Sequence, residues 1–160
     1  MATENLKFKI QLYATFWNKL PTCEIFIDDK SHWKGEIAGT EQEPITVEFE
    51  SVLEQNKEYK LSIHRQGKDK GQTVVNDKGD ILKDQLLNIK SIEIDGIDIG
   101  ALVYEGVYTP EYPEPWATQQ RQQGMELPET FKNTTQMGHN GTWTFKFTSP
   151  FYMWLLENLY

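Results

Sequence analysis

The chain opens on a strict alternation of apolar and polar positions. Leu6, Phe8, Ile10, Leu12, Ala14 and Phe16 share one parity, and Lys7, Lys9, Gln11, Tyr13, Thr15 and Trp17 share the other. A period of two places successive side chains on opposite faces of extended backbone, so this segment reads as a long half-buried strand. Asn18 to Pro21 carry turn residues. Cys23, Ile25 and Ile27 then alternate with Glu24, Phe26 and Asp28 up to the Asp28 and Asp29 pair, which predicts a second strand and a hairpin with the first. The pattern returns at Ile45, Val47 and Phe49, and again at Tyr59, Leu61 and Ile63, with Asn56 and Lys57 turning between them. Leu87, Ile89, Ser91 and Glu93 set against Asn88, Lys90, Ile92 and Ile94 predict a further strand. It ends at Asp95-Gly96, a favoured tight-turn pair, and Ile97, Ile99 and Leu102 start the returning strand.

Two stretches break the alternation. Residues 66–85 hold Gly67, Gly71 and Gly79 among charged and amide side chains, with Val74 and Val75 as a short apolar step, and read as a long exposed acidic loop. Residues 104–141 are rich in Pro, Gln, Asn and Thr, with Tyr108, Tyr112 and Trp116 around Pro110, Pro113 and Pro115. Proline lacks a backbone donor, so this density excludes a central strand and predicts an extended strap across the surface. A helical turn over Trp116 to Gln123, ended by Gly124, is expected within it. The last strand is clear: Trp143, Phe145 and Phe147 alternate with Thr142, Thr144, Lys146 and Thr148. Ser149 as N-cap and Pro150 at the first helical position then introduce a terminal helix over 150–160, with Phe151, Trp154, Leu155 and Leu159 at helical spacing. Short strands separated by turns and one closing helix predict a single all-β domain over residues 1–160, an antiparallel β-sandwich of the jelly-roll kind.

Composition narrows the function more than the fold. The chain has 160 residues, of which 12% are aromatic, enough to build a core although only 38% are hydrophobic. Sixteen basic against twenty-four acidic side chains leave a net charge of −8, which repels a phosphate backbone and argues against nucleic acid. No stretch approaches the roughly 20 apolar residues that span a bilayer, and Met1 to Phe8 lack the apolar run of a secretion signal. Neither a membrane nor a leader peptide is expected. Cys23 is the single cysteine, which excludes an internal disulfide and fits synthesis in a cytosol.

Catalytic patterns are absent. His32, His64 and His139 fall in different elements with no zinc spacing, and no Gly-x-Ser-x-Gly elbow or glycine-rich phosphate loop occurs. With twenty-four acids, carboxylate pairs at glycosidase spacing arise by chance and carry no information. Asn133-Thr134-Thr135 and Asn140-Gly141-Thr142 match a glycosylation sequon but read as turns. The acidic loop is more specific. Asp77, Asp80 and Asp84 with Asn76 and Gly79 offer the hard oxygen donors that calcium takes, though not at EF-hand spacing; the alternative is a solvated turn. Trp33, Tyr108, Tyr112 and Trp116 lie in loop or strap contexts, where flat rings serve either as stacking platforms for sugars or as buried pins.

Two resemblances bear on these residues. The run Asp84, Gln85, Leu86, Leu87, Asn88, Ile89, Lys90, Ser91, Ile92, Glu93, Ile94, Asp95, Gly96 resembles a stretch of the calcium-dependent xylan-binding carbohydrate-binding modules. That stretch reads Asp-Arg-Asn-Leu, aromatic, aliphatic, Asp, Ser-Ile, and precedes a strand and an Asn/Asp-Gly turn. Gln85, Leu86 and Lys90 depart from it. The resemblance implies a small β-sandwich in which loop acids hold calcium and the ion meets sugar hydroxyls, with Asp84 as a ligand and Asp80 beside it. The second resemblance involves Tyr108, Pro110, Tyr112, Pro113, Pro115, Trp116, Ala117, Thr118 and Gln119, then Asn140 to Trp143 and Trp154 to Leu159. Together these resemble uncharacterised proteins of tailed phages that infect marine cyanobacteria, which implies a virion component made in a host cytoplasm.

The sequence therefore predicts a non-enzymatic module that binds a surface polysaccharide. Asp77, Asp80 and Asp84 would hold calcium, and Trp33, Tyr108, Tyr112 and Trp116 would shape the sugar site. The competing expectation is a capsid or tail subunit, partnered by other phage structural proteins or by copies of itself, that docks through Trp154, Leu156 and Tyr160.

Overall fold

The longest alternating run forms the longest strand. The computed structural model describes residues 2–69 and 71–159, and Tyr160 of the expected docking set lies outside them. β1 (Thr3–Thr15) buries Leu6, Phe8, Ile10, Leu12 and Ala14 and turns its lysines outward. Next come β2 (Thr22–Ile27), β3 (Lys30–Glu36), β4 (Ile45–Glu54) and β5 (Lys57–Gln66). The expected hairpin between β1 and β2 does not form. β1 pairs with β4, whereas β2 pairs with β3 and β5 in the opposite sheet, so residues 16–21 arch from one layer to the other. Alternation reports that one face is buried but not which sheet buries it; strands facing each other across a core carry the same pattern as neighbours. β4 and β5 are divided in the same way at Gln55 and Asn56, where Asn56 adopts φ 63°.

The second half adds β6 (Val74–Val75) and β7 (Ile81–Lys83), a small hairpin of their own, then β8 (Leu86–Ile94) and β9 (Ile97–Asp98) about the Asp95-Gly96 turn. A 3-10 turn (Gly100–Glu105) leads to β10 (Val107–Pro110), α1 (Trp116–Gln122), β11 (Phe131–Lys132), β12 (Gln136–Met137), β13 (Gly141–Ser149) and α2 (Phe151–Asn158). β8 corrects its expected phase. Leu87, Ile89, Ile92 and Ile94 are all buried although they differ in parity. The register against β1 jumps between Ser91 and Ile89, leaving Lys90 as a bulge that turns both halves of the strand inward.

All pairings between these strands are antiparallel. One sheet runs β12-β8-β1-β4 with β9 beside β8, and the other runs β11-β10-β13-β5-β2-β3. The expected antiparallel β-sandwich with a short terminal helix is thus the fold. Its centre is aromatic: Phe8 of one sheet meets Phe147 of the other at 6.1 Å, and Trp143 and Phe145 continue the row along β13. The strap reading needs correction at its start. β10 hydrogen-bonds to β13 and β11 within the second sheet, and only at Pro110 does it end, where the ladder would need a missing N–H. α1 and its closing Gly124, at φ 84°, lie where the sequence put them. No helix among the described residues is long and apolar enough to cross a membrane.

The terminal helix is capped from afar. Ser149 ends β13 and Pro150 takes the cap position without a side-chain bond. Glu4 of β1 does the work instead: its Oε2 accepts the Phe151 N–H at 2.8 Å and the Ser149 hydroxyl as well. A carboxylate at a helix N-terminus satisfies an otherwise orphaned donor and complements the helix dipole. Phe151 and Leu155 pack inward, and Trp154 meets Phe145 edge-on at 5.7 Å. Glu4→Ala is expected to cost about 1–2 kcal/mol in urea unfolding, by loss of this cap, despite a separation of 147 residues from Phe151.

Candidate functional site

At one end of the sandwich the inward row of β5 runs Tyr59, Leu61, Ile63 and then Arg65. The strand's own alternation therefore delivers a guanidinium into the core with no accessible surface. A buried charge is costly unless it is hydrogen-bonded. Arg65 Nη1 donates to Asn140 Oδ1 at 3.1 Å, and Nη2 donates to both the backbone oxygen and Oε1 of Gln85 at 2.8 Å each. Arg65 Nε has no partner among the described residues. Gln85 is equally buried, and its amide donates to the carbonyls of Lys19 and Gly67 and to Gln72 Oε1. Burial holds the Arg65 pKa down to about 10, against the favourable charges of Tyr108 and Asp84.

This network anchors residues 66–85, most of which are exposed, to the interior at two points. Gln72 and Gln85 are interior anchors, and the indole of Trp17 donates to the Gln72 carbonyl at 2.8 Å. The β6–β7 hairpin itself projects, with Val75, Ile81 and Leu82 exposed on its strands. Asp77 and Asp80 lie there, exposed, and Asn76 Oδ1 caps the turn by accepting the N–H groups of Lys78 and Asp80 at 2.9 Å.

Asp84 belongs to the base of the loop instead. Its Oδ1 accepts Thr73 Oγ1 at 2.7 Å and the Gln85 N–H at 2.8 Å, and lies 3.1 Å from Lys68 Nζ. Burial alone would raise the Asp84 pKa, but these bonds and the Lys68 charge outweigh it and hold the carboxyl below its usual value. Lys68 is lowered chiefly by burial, and Asp84 offsets part of that. The three carboxylates assigned to calcium are therefore not gathered, and no group of three or more His, Cys, Asp or Glu is placed to hold a metal among the described residues. Calcium requires about 6–8 oxygens at about 2.3–2.6 Å. The residues do not fit that demand as they stand: the one anchored carboxylate already carries an ammonium partner.

The four aromatic candidates also separate. Tyr108 is 3% exposed, so its ring is corrected to an interior role. Its hydroxyl donates to the His139 carbonyl at 2.5 Å and accepts the His139 N–H at 2.9 Å, which fixes the 138–140 loop. Trp33 lies on β3 and packs against the margin of the core, its ring so close to Gly35 that a Cβ there would sit 2.9 Å from Trp33 Cζ2. β3 and β10 are at opposite sides of the second sheet, four strand steps or about 19 Å apart, so Trp33 cannot share a small site with the strap.

Tyr112 and Trp116 do come together, with ring centroids 6.2 Å apart. His139 completes the group at 5.1 Å from Tyr112 and 5.4 Å from Trp116. Trp116 is 36% exposed, and the Tyr112 hydroxyl is tied to the Pro128 carbonyl at 2.6 Å, which holds the ring in place. Burial first, then the Lys68 and Arg65 charges, push the His139 pKa down to about 4. The imidazole is neutral at physiological pH, and the three rings form an uncharged shelf. Lys68 Nζ donates to the Gly138 carbonyl at 2.6 Å, which places a polar pair, Lys68 and Asp84, beside the shelf. Flat apolar faces next to a few fixed donors and acceptors suit a ligand that is apolar on one face and hydroxylated at its rim. Sequence reading passed over His139 and Lys68, because nothing in their spacing links them to Tyr112 or Asp84.

Neither a protein-family model nor a curated protein sequence matches the chain. Among solved structures the chain is similar to vCBM60 in its selenomethionine form, described as a circular-permutation link between two families of calcium-dependent carbohydrate-binding modules. The TM-score is 0.51 at 8% identity, covering 88% of this chain and 89% of that one. vCBM60 in complex with galactobiose superposes at a TM-score of 0.46 and 9% identity, over 87% of this chain and 96% of that one. At 8% identity the first similarity establishes the shared β-sandwich fold.

The His139 shift has a pH consequence. With its folded pKa near 4 and an unfolded value of 6.5, the neutral ring stabilises the fold fully above pH 6.5, and that contribution is lost as pH falls through 6.5 toward 4. The imidazole resonances of His139 are expected to titrate near pH 4 by NMR. His139→Gln is expected to flatten the fall of the unfolding midpoint across that window, leaving the smaller share of His32, which burial also lowers.

Proposed function

We propose that this chain is a non-catalytic carbohydrate-binding module whose sugar seat is the Tyr112, Trp116 and His139 shelf beside Lys68 and Asp84. The observation that carries the reading is the convergence of three rings from two segments, Tyr112 and Trp116 from one and His139 from the other, into one partly exposed, uncharged surface, held by Tyr108 and Pro128. Sugar rings stack their C–H faces on such surfaces while their hydroxyls need paired donors and acceptors, which the ammonium and carboxylate supply. A scaffold of this kind serves carbohydrate binding in vCBM60, so the fold is adequate to the task. A non-catalytic role agrees with the chemistry of the lone thiol: burial pushes Cys23 up to about 12, far from a thiolate nucleophile. The ligand class is a surface polysaccharide.

A second reading rests on α2. Tyr152 and Met153 are 60% and 61% exposed, and Leu156 and Leu159 are 46% and 51% exposed, an outer helix face that water covers poorly. This reading makes the chain a structural subunit of a phage particle that docks through its terminal helix.

Calorimetry against a panel of polysaccharides and oligosaccharides separates the two. Saturable binding by the unaltered chain, weakened at least about tenfold by Trp116→Ala, is the expected result, since one stacked ring is worth about 1.4 kcal/mol. Tyr152→Ala is expected to leave that affinity unchanged. Absence of binding across the panel, with an oligomer by sedimentation that Tyr152→Ala dissociates, would move the assignment to the docking reading.

A further inference from the structure

Lys68 behaves less like a surface lysine than like a bound ion. Its backbone is clamped before its side chain begins: the Lys68 N–H donates to Asn140 Oδ1 at 3.0 Å, and the Lys68 carbonyl accepts Asn140 Nδ2 at 3.1 Å. From that fixed start the side chain, only 13% exposed, carries its ammonium between two oxygens of distant segments. One is the Gly138 carbonyl at 2.6 Å, and the other is Asp84 Oδ1 at 3.1 Å on a side chain 17% exposed. A backbone carbonyl and a loop carboxylate drawn together around one cation is the arrangement by which a loop-bound divalent ion orders a surface.

The charge balance excludes a second cation there. Arg65 and Lys68 supply two positive charges, and Asp84 is the carboxylate within ion-pair distance of either among the described residues. A divalent ion entering at Asp84 would have to displace the ammonium, leave it half-buried without a counter-charge, and stand against the guanidinium behind it. Asp77 and Asp80 offer no help, because they project with the hairpin tip.

We infer that the Lys68 ammonium takes the structural place of a calcium ion at Asp84: it cross-links residues 66–85 to the 138–140 loop, and this end of the sandwich orders without metal. The inference does not depend on sugar binding, and its test contains no sugar.

The experiment uses the full chain. Thermal unfolding midpoints with excess calcium and with excess EDTA are expected to coincide, and a calcium titration by calorimetry is expected to give only heats of dilution. Lys68→Met keeps the aliphatic stem and removes the charge; it is expected to lower the midpoint by about 5 °C. Combining it with Asp84→Asn is expected to cost less than the sum of the two single changes, which reads the coupling of the pair directly. If Lys68→Met does not fold, the calcium and EDTA measurements on the unaltered chain still decide. A saturable calcium heat that Asp84→Asn abolishes, or a midpoint raised by calcium and lowered by EDTA, would overturn the inference, as would strictly additive single changes.

Discussion

A guanidinium with no accessible surface sits where the β5 core row runs out of aliphatic residues, and the architecture of one end of the molecule follows from what it needs. Arg65 is out of reach of bulk solvent, so acceptors must come to it: the backbone and side chain of Gln85 from one segment and Asn140 from another. Gln85 is itself polar and buried, and it recruits further partners in Lys19, Gly67 and Gln72. In a low-dielectric interior such bonds are strong when complete and costly when broken, so the network holds two otherwise irregular segments in one conformation.

The shelf depends on that rigidity. Asn140 is bonded to Arg65 and Lys68, and its neighbour His139 is pinned through its backbone by Tyr108. The imidazole therefore has a fixed position against Tyr112 and Trp116, and burial first, with the nearby cations adding to it, keeps it unprotonated. Electrostatics and packing act in the same direction: the same positive charges that lower the His139 pKa are those that anchor the loop. A ligand that met this surface would find it already arranged, which would reduce the ordering cost of binding.

Much of the framework was legible in the sequence. The runs of β1, β4, β5 and β13 were visible from alternation, as were the Asp95-Gly96 turn and the short helix closed by Gly124. The errors share a cause. The β1–β2 hairpin, the phase of β8, the position of β10 and the cap of α2 were each settled by a partner distant along the chain: β5, the facing residues of β1, β13 and Glu4. For the site, the sequence marks Tyr108, Tyr112 and Trp116 alike as rings on a strap, but Tyr108 is interior, because its pairing with β13 and the His139 backbone decide where its ring and hydroxyl go. Asp84 stands out in the sequence for its charge, but nothing in the spacing marks Lys68 as the residue that pairs with it.

The sequence by itself determined the class of the fold, the faces of most strands and the absence of a catalytic signature, because periodicity and residue type are local and survive in one dimension. Tertiary structure alone decided which layer each strand joined, that the Lys68 ammonium meets Asp84, and that His139 joins two aromatic residues into a surface. Each of these is an encounter between segments far apart in the chain, governed by which buried polar groups can satisfy one another. Spacing along a sequence holds no record of that.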